Sequence, residues 1–158
     1  MSHEQKDCMS KHDAEACVLS CIDFRLVDAT VTELEQTPAN PFDYTAIPGA
    51  SLYVIRPEFP DWKTTYLQTL QVARDLHNIN GMVIVQHENC GAFSGAYPYL
   101  IDPITGRIPV KIEKKLAIKY LKRARDLTQK LHEDLYFKGY WIGLDGKLEL
   151  VVFSEALV

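Results

Sequence analysis

The chain has 158 residues, of which 47% are hydrophobic and 24% charged, and its formal net charge is −4 at pH 7. This length and composition indicate one globular domain and exclude a disordered tail, a collagen-like chain and a coiled-coil rod. The acidic balance argues against nucleic acid as a partner, because duplex binding needs a basic surface. The sequence has neither an apolar run long enough to span a membrane nor a signal-peptide core, so we expect a cytoplasmic protein with reduced thiols.

The N-terminal third of the sequence predicts an arm, a strand, a helix and a second strand. Residues 1–13 are polar and aperiodic, which indicates a flexible N-terminal arm before a single domain at 14–158. Ala16–Ser20 is a short apolar run without alternation, typical of a strand buried on both faces. Asp28–Gln36 is predicted to be a short helix, and Phe42–Ile47 is predicted to be the second strand.

The middle of the chain predicts a helix, a buried strand and a loop. The helix is expected over Asp61–Asn78, with Asp61 as its N-cap. Its apolar stripe consists of Trp62, Tyr66, Leu70, Ala73 and Leu76. Met82–Gln86 is a third apolar strand. The stretch rich in Gly and Pro after Gly91 is expected to be a loop or a loop with a short helical turn.

The last predicted elements are a long helix and a hairpin. Ile112–Leu135 keeps apolar residues at helical spacing, and the lysines and arginines opposite them are interpreted as a solvated face. Tyr140–Gly143 and Lys147–Phe153 flank Asp145-Gly146, a dipeptide that favours a hairpin turn. Alternating strands and helices predict an α/β fold with a mainly parallel central sheet flanked by helices. In such sheets ligands bind outside the carboxyl ends of the strands.

Two polar motifs follow predicted strands directly. CIDFR (residues 21–25) comes after the first strand, and HENCG (residues 87–91) comes after the third. If the two strands are parallel neighbours, their carboxyl ends bring Cys21, His87 and Cys90 together. Two thiolates and one imidazole suit Zn²⁺, and three protein ligands leave the fourth tetrahedral position open, as in catalytic zinc sites.

Asp23 and Arg25 are expected to lie beside this metal site. The aspartate is placed either to occupy the fourth zinc position or to accept a hydrogen bond from zinc-bound water. An arginine at pairing distance keeps the carboxylate ionised and oriented. Because zinc lowers the pKa of bound water toward ~7, the predicted chemistry is attack of hydroxide on a small electrophile.

The other cysteines and histidines are given structural interpretations. Cys17 is assigned to the core and Cys8 to the arm. On one strand, Cys17 and Cys21 would lie about 13 Å apart, which exceeds the ~7 Å limit for a disulfide. The histidines interpreted as surface residues are His3, His12, His77 and His132.

The two motifs together resemble the signature of the β-class carbonic anhydrases, Cys-x-Asp-x-Arg followed by His-x-x-Cys-Gly. The resemblance extends over most of the chain, since the central helix, the strand before HENCG and the late hairpin occur in the family's order. It implies a zinc-dependent lyase, a carbonate dehydratase that interconverts CO₂ and bicarbonate, and a homodimer or higher homo-oligomer. The residues it implies are Cys21, His87 and Cys90 as zinc ligands and Asp23 and Arg25 as the catalytic dyad.

Two departures from the family pattern keep alternative functions open. Residues 46–51 (AIPGAS) stand where the family commonly has an Arg-Asn-Ala-Gly-Asn-like stretch, and Phe24 stands where it often has Ser. The alternatives are hydrolysis of carbonyl sulfide or carbon disulfide at the same zinc site, and a non-catalytic zinc-binding relative. In the latter, Asp23 would stay bound to the metal.

Overall fold

A computed structural model describes residues 12–158, and its five strands form one sheet. The strands are β1 (Ala16–Ser20), β2 (Phe42–Ala46), β3 (Gly81–His87), β4 (Tyr136–Ile142) and β5 (Leu148–Ser154). Their order across the sheet is β2-β1-β3-β4-β5. The pairs β1/β2, β1/β3 and β3/β4 are parallel, and β5 is antiparallel to β4. The predicted α/β fold with a mainly parallel sheet is confirmed.

Five helices join the strands and cover the sheet. They are α1 (Val27–Glu35), α2 (Ser51–Ile55), α3 (Pro60–His77), α4 (Gly91–Ala96) and α5 (Val110–Leu131). The segment after Gly91, predicted as a loop or short helical turn, thus contains α4. Within residues 12–158, no helix combines the length and the apolar character that crossing a membrane requires.

The central strands are buried on both faces, as their unbroken apolar sequences predict. Every residue of β1 and β3 is buried. Alternate side chains face opposite sides of the sheet. Leu19 and Ile84 pack with α3 and α5 in one hydrophobic cluster, whereas Val18 and Val83 pack with α1 in another. Helices on both faces therefore leave mainly the strand ends for a polar site.

Helix α3 differs from its prediction at the first turn and on one face. Its N-cap is Phe59, so the predicted capping role of Asp61 is wrong. Pro60 takes the first helical position, where a missing backbone N–H leaves no hydrogen bond unmade. Leu76, predicted on the apolar stripe, is exposed. The stripe holds at Tyr66, Leu70 and Ala73, which are buried.

Helix α5 differs more, because its buried face is rotated from the predicted stripe. The helix ends at Leu131, and Leu135 is buried in the connection to β4 instead. Ile112 and Leu131 are exposed, whereas Glu113 and Ala117 are buried. The lysines and arginines of α5 are exposed or half-buried, as the solvated-face interpretation predicts, whereas the burial of Glu113 was not predicted.

The structural interpretations of the remaining residues have mixed outcomes. Cys17 is buried in the core as predicted, but His132 is buried rather than on the surface. His77 is half-buried and contacts Asp43. Most of the predicted arm at 1–13 lies outside the described residues, as do Cys8 and His3, so those interpretations stay predictions.

Candidate metal centre

The three predicted metal ligands lie together at the carboxyl ends of β1 and β3. Because the two strands are parallel neighbours, Cys21 just after β1 and His87 at the end of β3 reach the same edge. The donor atoms of Cys21, His87 and Cys90 lie within 4.8 Å of one another, and the two Sγ atoms are 4.0 Å apart. Two thiolates bound to one tetrahedral zinc at ~2.3 Å would lie about 3.8 Å apart, so the observed spacing suits a shared ion.

The ring of His87 is oriented as a ligand needs to be. Its Nδ1 lies 2.8 Å from the backbone carbonyl oxygen of Glu88, to which it donates a hydrogen bond. In the neutral ring this bond leaves Nε2 without a proton, with its lone pair free. Nε2 is buried and has no hydrogen-bond partner among residues 12–158. Because an unpaired buried nitrogen is costly, its position beside two sulfurs fits a zinc ligand.

The Sγ atoms of Cys21 and Cys90 lie within hydrogen-bonding distance of each other, at 4.0 Å. The hydrogen bond between them lowers the pKa of Cys21 well below its usual range and raises the pKa of Cys90. The backbone N–H of Gly49 also donates to Cys21 Sγ at 3.3 Å, which further favours the thiolate. A metal ion held by both sulfurs would need both as thiolates, so its binding would be coupled to loss of a proton from this pair.

The turn after β2 lies against this site and depends on a glycine. Gly49 has φ +68°, and a Cβ built there would lie 2.8 Å from the Cβ of Ala92. The side chain of Gln86 donates to the Gly49 carbonyl at 3.1 Å. The departure at residues 46–51 thus keeps a tight turn, held by a glutamine that sequence reasoning missed.

Asp23 and Arg25 form a two-point ion pair beside the three donors. Arg25 Nε donates to Asp23 Oδ1 at 2.9 Å, and Arg25 Nη2 donates to Asp23 Oδ2 at 2.6 Å. Asp23 Oδ2 lies 3.8 Å from His87 Nε2. The hydrogen bond from Arg25 lowers the pKa of Asp23 to about 2, so the carboxylate is ionised at neutral pH.

Glu113 of α5 also belongs to this site, although sequence reasoning missed it. Its carboxylate accepts hydrogen bonds from the backbone N–H groups of Asn89 and Cys90, both at 2.8 Å. Burial raises the pKa of Glu113. Glu113 precedes the buried Ala117 by about one helical turn. This spacing is the sequence signal that would have placed Glu113 on the buried face of α5.

A small cavity of about 10 Å³ adjoins the donors on the α1 side of the sheet. Leu26, Val85 and Ile142 form apolar walls, and Asp23 and His87 also line it. This volume is about the room that one water molecule needs.

The chain is similar to two bacterial proteins that are described as uncharacterized. The protein from Rickettsia bellii is 31% identical over 142 residues, which cover 89% of this chain and 83% of that protein. The protein from Rickettsia conorii is 31% identical over 144 residues, which cover 89% of this chain and 73% of that protein. No protein-family model matches the chain.

Among solved structures, the chain is similar to β-carbonic anhydrases. A tetrameric enzyme from Sordaria macrospora has a TM-score of 0.60 at 14% identity, covering 96% of this chain and 88% of its own. CafA from Aspergillus fumigatus has a TM-score of 0.59 at 13% identity, and the match covers 94% of this chain and 80% of CafA. At this identity the likeness shows the fold. The chain thus belongs to one family with the two rickettsial proteins and has the β-carbonic-anhydrase fold.

Proposed function

We propose that this protein is a zinc-dependent carbonic anhydrase, which hydrates CO₂ reversibly to bicarbonate. The observation that carries the proposal is the position of the Asp23–Arg25 pair, with Asp23 Oδ2 3.8 Å from His87 Nε2, which has no hydrogen-bond partner within residues 12–158. Structural zinc sites are usually closed by four protein ligands. Here three donors suit zinc, and their polar neighbour is a carboxylate held by an arginine, which supports a catalytic site.

In this proposal Cys21, His87 and Cys90 hold the metal. Bound zinc supplies the acidity that makes hydroxide available near neutral pH. The ionised carboxylate of Asp23 accepts a hydrogen bond from the nucleophile and thereby orients its lone pair toward the substrate. The cavity beside the donors, walled in part by Leu26, Val85 and Ile142, is where a small apolar substrate such as CO₂ is proposed to approach them.

Arg25 supports the catalytic alternative over the non-catalytic one. It engages both carboxylate oxygens of Asp23, at 2.9 and 2.6 Å. Those bonds compete with any movement of the carboxylate onto the metal as a fourth ligand. The fourth coordination position is therefore proposed to be open to the nucleophile.

We also propose a homodimer or larger homo-oligomer in the cytoplasm. Ile22 and Phe24, which flank Asp23, are 58% and 86% exposed, and neighbouring exposed apolar side chains are typical of a surface that another chain covers. The Sordaria macrospora neighbour is described as tetrameric. Free thiols at Cys17, Cys21 and Cys90 suit a reducing compartment. Light scattering of the purified protein measures the assembly.

Stopped-flow CO₂ hydration, followed with a pH indicator, tests the proposed activity. The protein should contain one zinc per chain. The assay should run from about pH 6.5 to 9, a range that includes the pKa of ~7 expected for zinc-bound water. We expect turnover that rises with pH and disappears in a chelator-treated control. Absence of turnover at every pH, with zinc present, would overturn the proposal. Carbonyl sulfide and carbon disulfide would then be assayed.

A further inference from the structure

Glu113 is a charged residue in a buried position. It lies in the first turn of α5 and is 1% exposed, although Lys111 and Lys115 on the same helix are exposed. Its Oε1 accepts the N–H of Cys90 and its Oε2 accepts the N–H of Asn89. Because burying a carboxylate is costly unless hydrogen bonds compensate, these two bonds account for its retention in the interior.

The backbone that Glu113 holds is the turn that carries two of the three donors. The turn leads from His87, at the end of β3, to Cys90, which immediately precedes α4. Asn89 has φ +57°, in the left-handed region. Successive N–H groups around such a residue converge on one side and form an anion-binding concavity. The carboxylate of Glu113 fills that concavity with two oxygens, one for each N–H.

The same turn is attached to the Asp23–Arg25 pair from its other side. Arg25 Nη2 donates to the carbonyl oxygen of Asn89 at 3.0 Å as well as to Asp23. Asn89 therefore contacts Glu113 through its N–H and Arg25 through its carbonyl. A displacement of this turn would move the Cys90 sulfur and the acceptor of Arg25 together.

We propose that Glu113 is a positioning residue for the metal centre. It holds the Asn89–Cys90 turn so that Cys90 and His87 face a common ion and Arg25 stays aligned with Asp23. The inference rests on the metal site of the proposed function. It does not depend on which substrate the site takes, because Glu113 acts through the backbone of the ligand turn.

Glu113→Gln tests this role with little change in size. The amide has one acceptor oxygen, and its NH₂ group faces the second backbone N–H, so one of the two bonds is lost. We expect zinc affinity to fall by about 10–100-fold, the range for groups that orient metal ligands. The absorption spectrum of the Co²⁺-substituted protein should also change, because it reports ligand geometry. Glu113→Asp keeps both oxygens and should restore part of the affinity and spectrum.

Thr128→Ala is the matched control on the same helix. Thr128 is fully buried and its hydroxyl lies 2.6 Å from Tyr66 Oη, among core residues away from the metal site. We expect this variant to lose thermal stability while keeping the zinc affinity and Co²⁺ spectrum of the unmodified protein. It therefore separates a general loss of buried hydrogen bonding from a specific effect on the ligand turn.

The outcomes for Glu113 and for the proposed activity are distinguishable. If Glu113→Gln and Glu113→Asp lose stability but keep the zinc affinity and Co²⁺ spectrum, the positioning role is overturned. If the unmodified protein binds zinc without hydrating CO₂, the proposed activity fails while the positioning role is still measured by metal binding. If the unmodified protein binds neither zinc nor cobalt, both proposals are overturned.

Discussion

Histidines lie near both ends of the parallel strands, but the surroundings of their side chains differ. At the carboxyl ends, His87 Nε2 is buried beside two sulfurs and has no hydrogen-bond partner in the described part of the chain. At the amino ends, His77 Nδ1 lies 2.8 Å from the carboxylate of Asp43. There too, His132 Nδ1 accepts a hydrogen bond from Arg74 at 2.6 Å.

This difference distinguishes His77 and His132, whose ring nitrogens are paired within the protein, from His87, whose Nε2 lies beside two sulfurs. A ring nitrogen paired with a carboxylate or a guanidinium has its hydrogen-bonding capacity satisfied by the protein. A buried, unpaired nitrogen gains free energy when an external group binds it. Substitutions at the metal site should therefore change metal binding or activity, whereas matched substitutions outside it should leave both unchanged.

Cys90→Ser should have the largest effect, because a hydroxyl is a far weaker zinc ligand than a thiolate. We expect zinc affinity to fall by more than about 100-fold, beyond the range for groups that only orient ligands. Competition with a chelator measures this change. Cys17→Ala is the control, since burial raises the pKa of Cys17 to about 12 and keeps it a neutral core thiol. Unchanged zinc retention in Cys90→Ser would contradict the ligand assignment.

Asp23→Asn should have an intermediate effect that appears in activity rather than in zinc content. The amide removes the charge that Arg25 pairs with and can donate a hydrogen bond where the carboxylate accepts one. We expect one zinc per chain, an altered pH profile and CO₂ hydration slower by at least about 10-fold. Asp43→Asn, which disturbs the carboxylate paired with His77, should leave turnover unchanged. Loss of folding in Asp23→Asn would indicate a mainly structural pair.

His132→Gln should have the smallest effect, a change in how stability depends on pH. Burial and the neighbouring Arg74 guanidinium lower the pKa of His132 below the ~6.5 of an unfolded chain. Its contribution to stability is therefore present above about pH 6.5 and lost as the pH falls through the folded-state pKa. The unmodified protein should therefore be more stable than His132→Gln by less than about 1 kcal/mol. This difference in unfolding free energy should shrink on acidification.

Urea unfolding of the unmodified protein and of His132→Gln, both treated with chelator, measures this effect. The two pH values, about 7.5 and 5, lie on either side of the ~6.5 pKa of histidine in an unfolded chain. The contribution of His87 is common to both proteins and cancels in the difference. A difference in unfolding free energy that stays constant with pH would contradict the expectation.

Local patterns were enough to predict where the strands lie, apart from the first four residues of β4, and which side chains follow their carboxyl ends. The apolar run Ala16–Ser20 predicted β1 to the residue, because a strand buried on both faces lacks the alternation of apolar and polar residues seen in a half-exposed strand. Cys21, His87 and Cys90 follow strands directly, and parallel neighbours necessarily place their carboxyl ends at one edge of the sheet. The grouping of the three donors was therefore predicted on the condition that β1 and β3 are parallel neighbours, and the strand order of the sheet meets that condition.

The packing of distant elements decided the rest of the site. The chain sequence shows that Glu113 is charged, but the rotation of α5 against the sheet determined that it is buried and meets Asn89 and Cys90. The Gly49 N–H reaches Cys21 because Gln86 holds the Gly49 carbonyl and because residue 49, lacking a Cβ, fits beside Ala92. Such contacts join residues far apart in sequence, whereas periodicity reports which face of one element is apolar and not what that face meets.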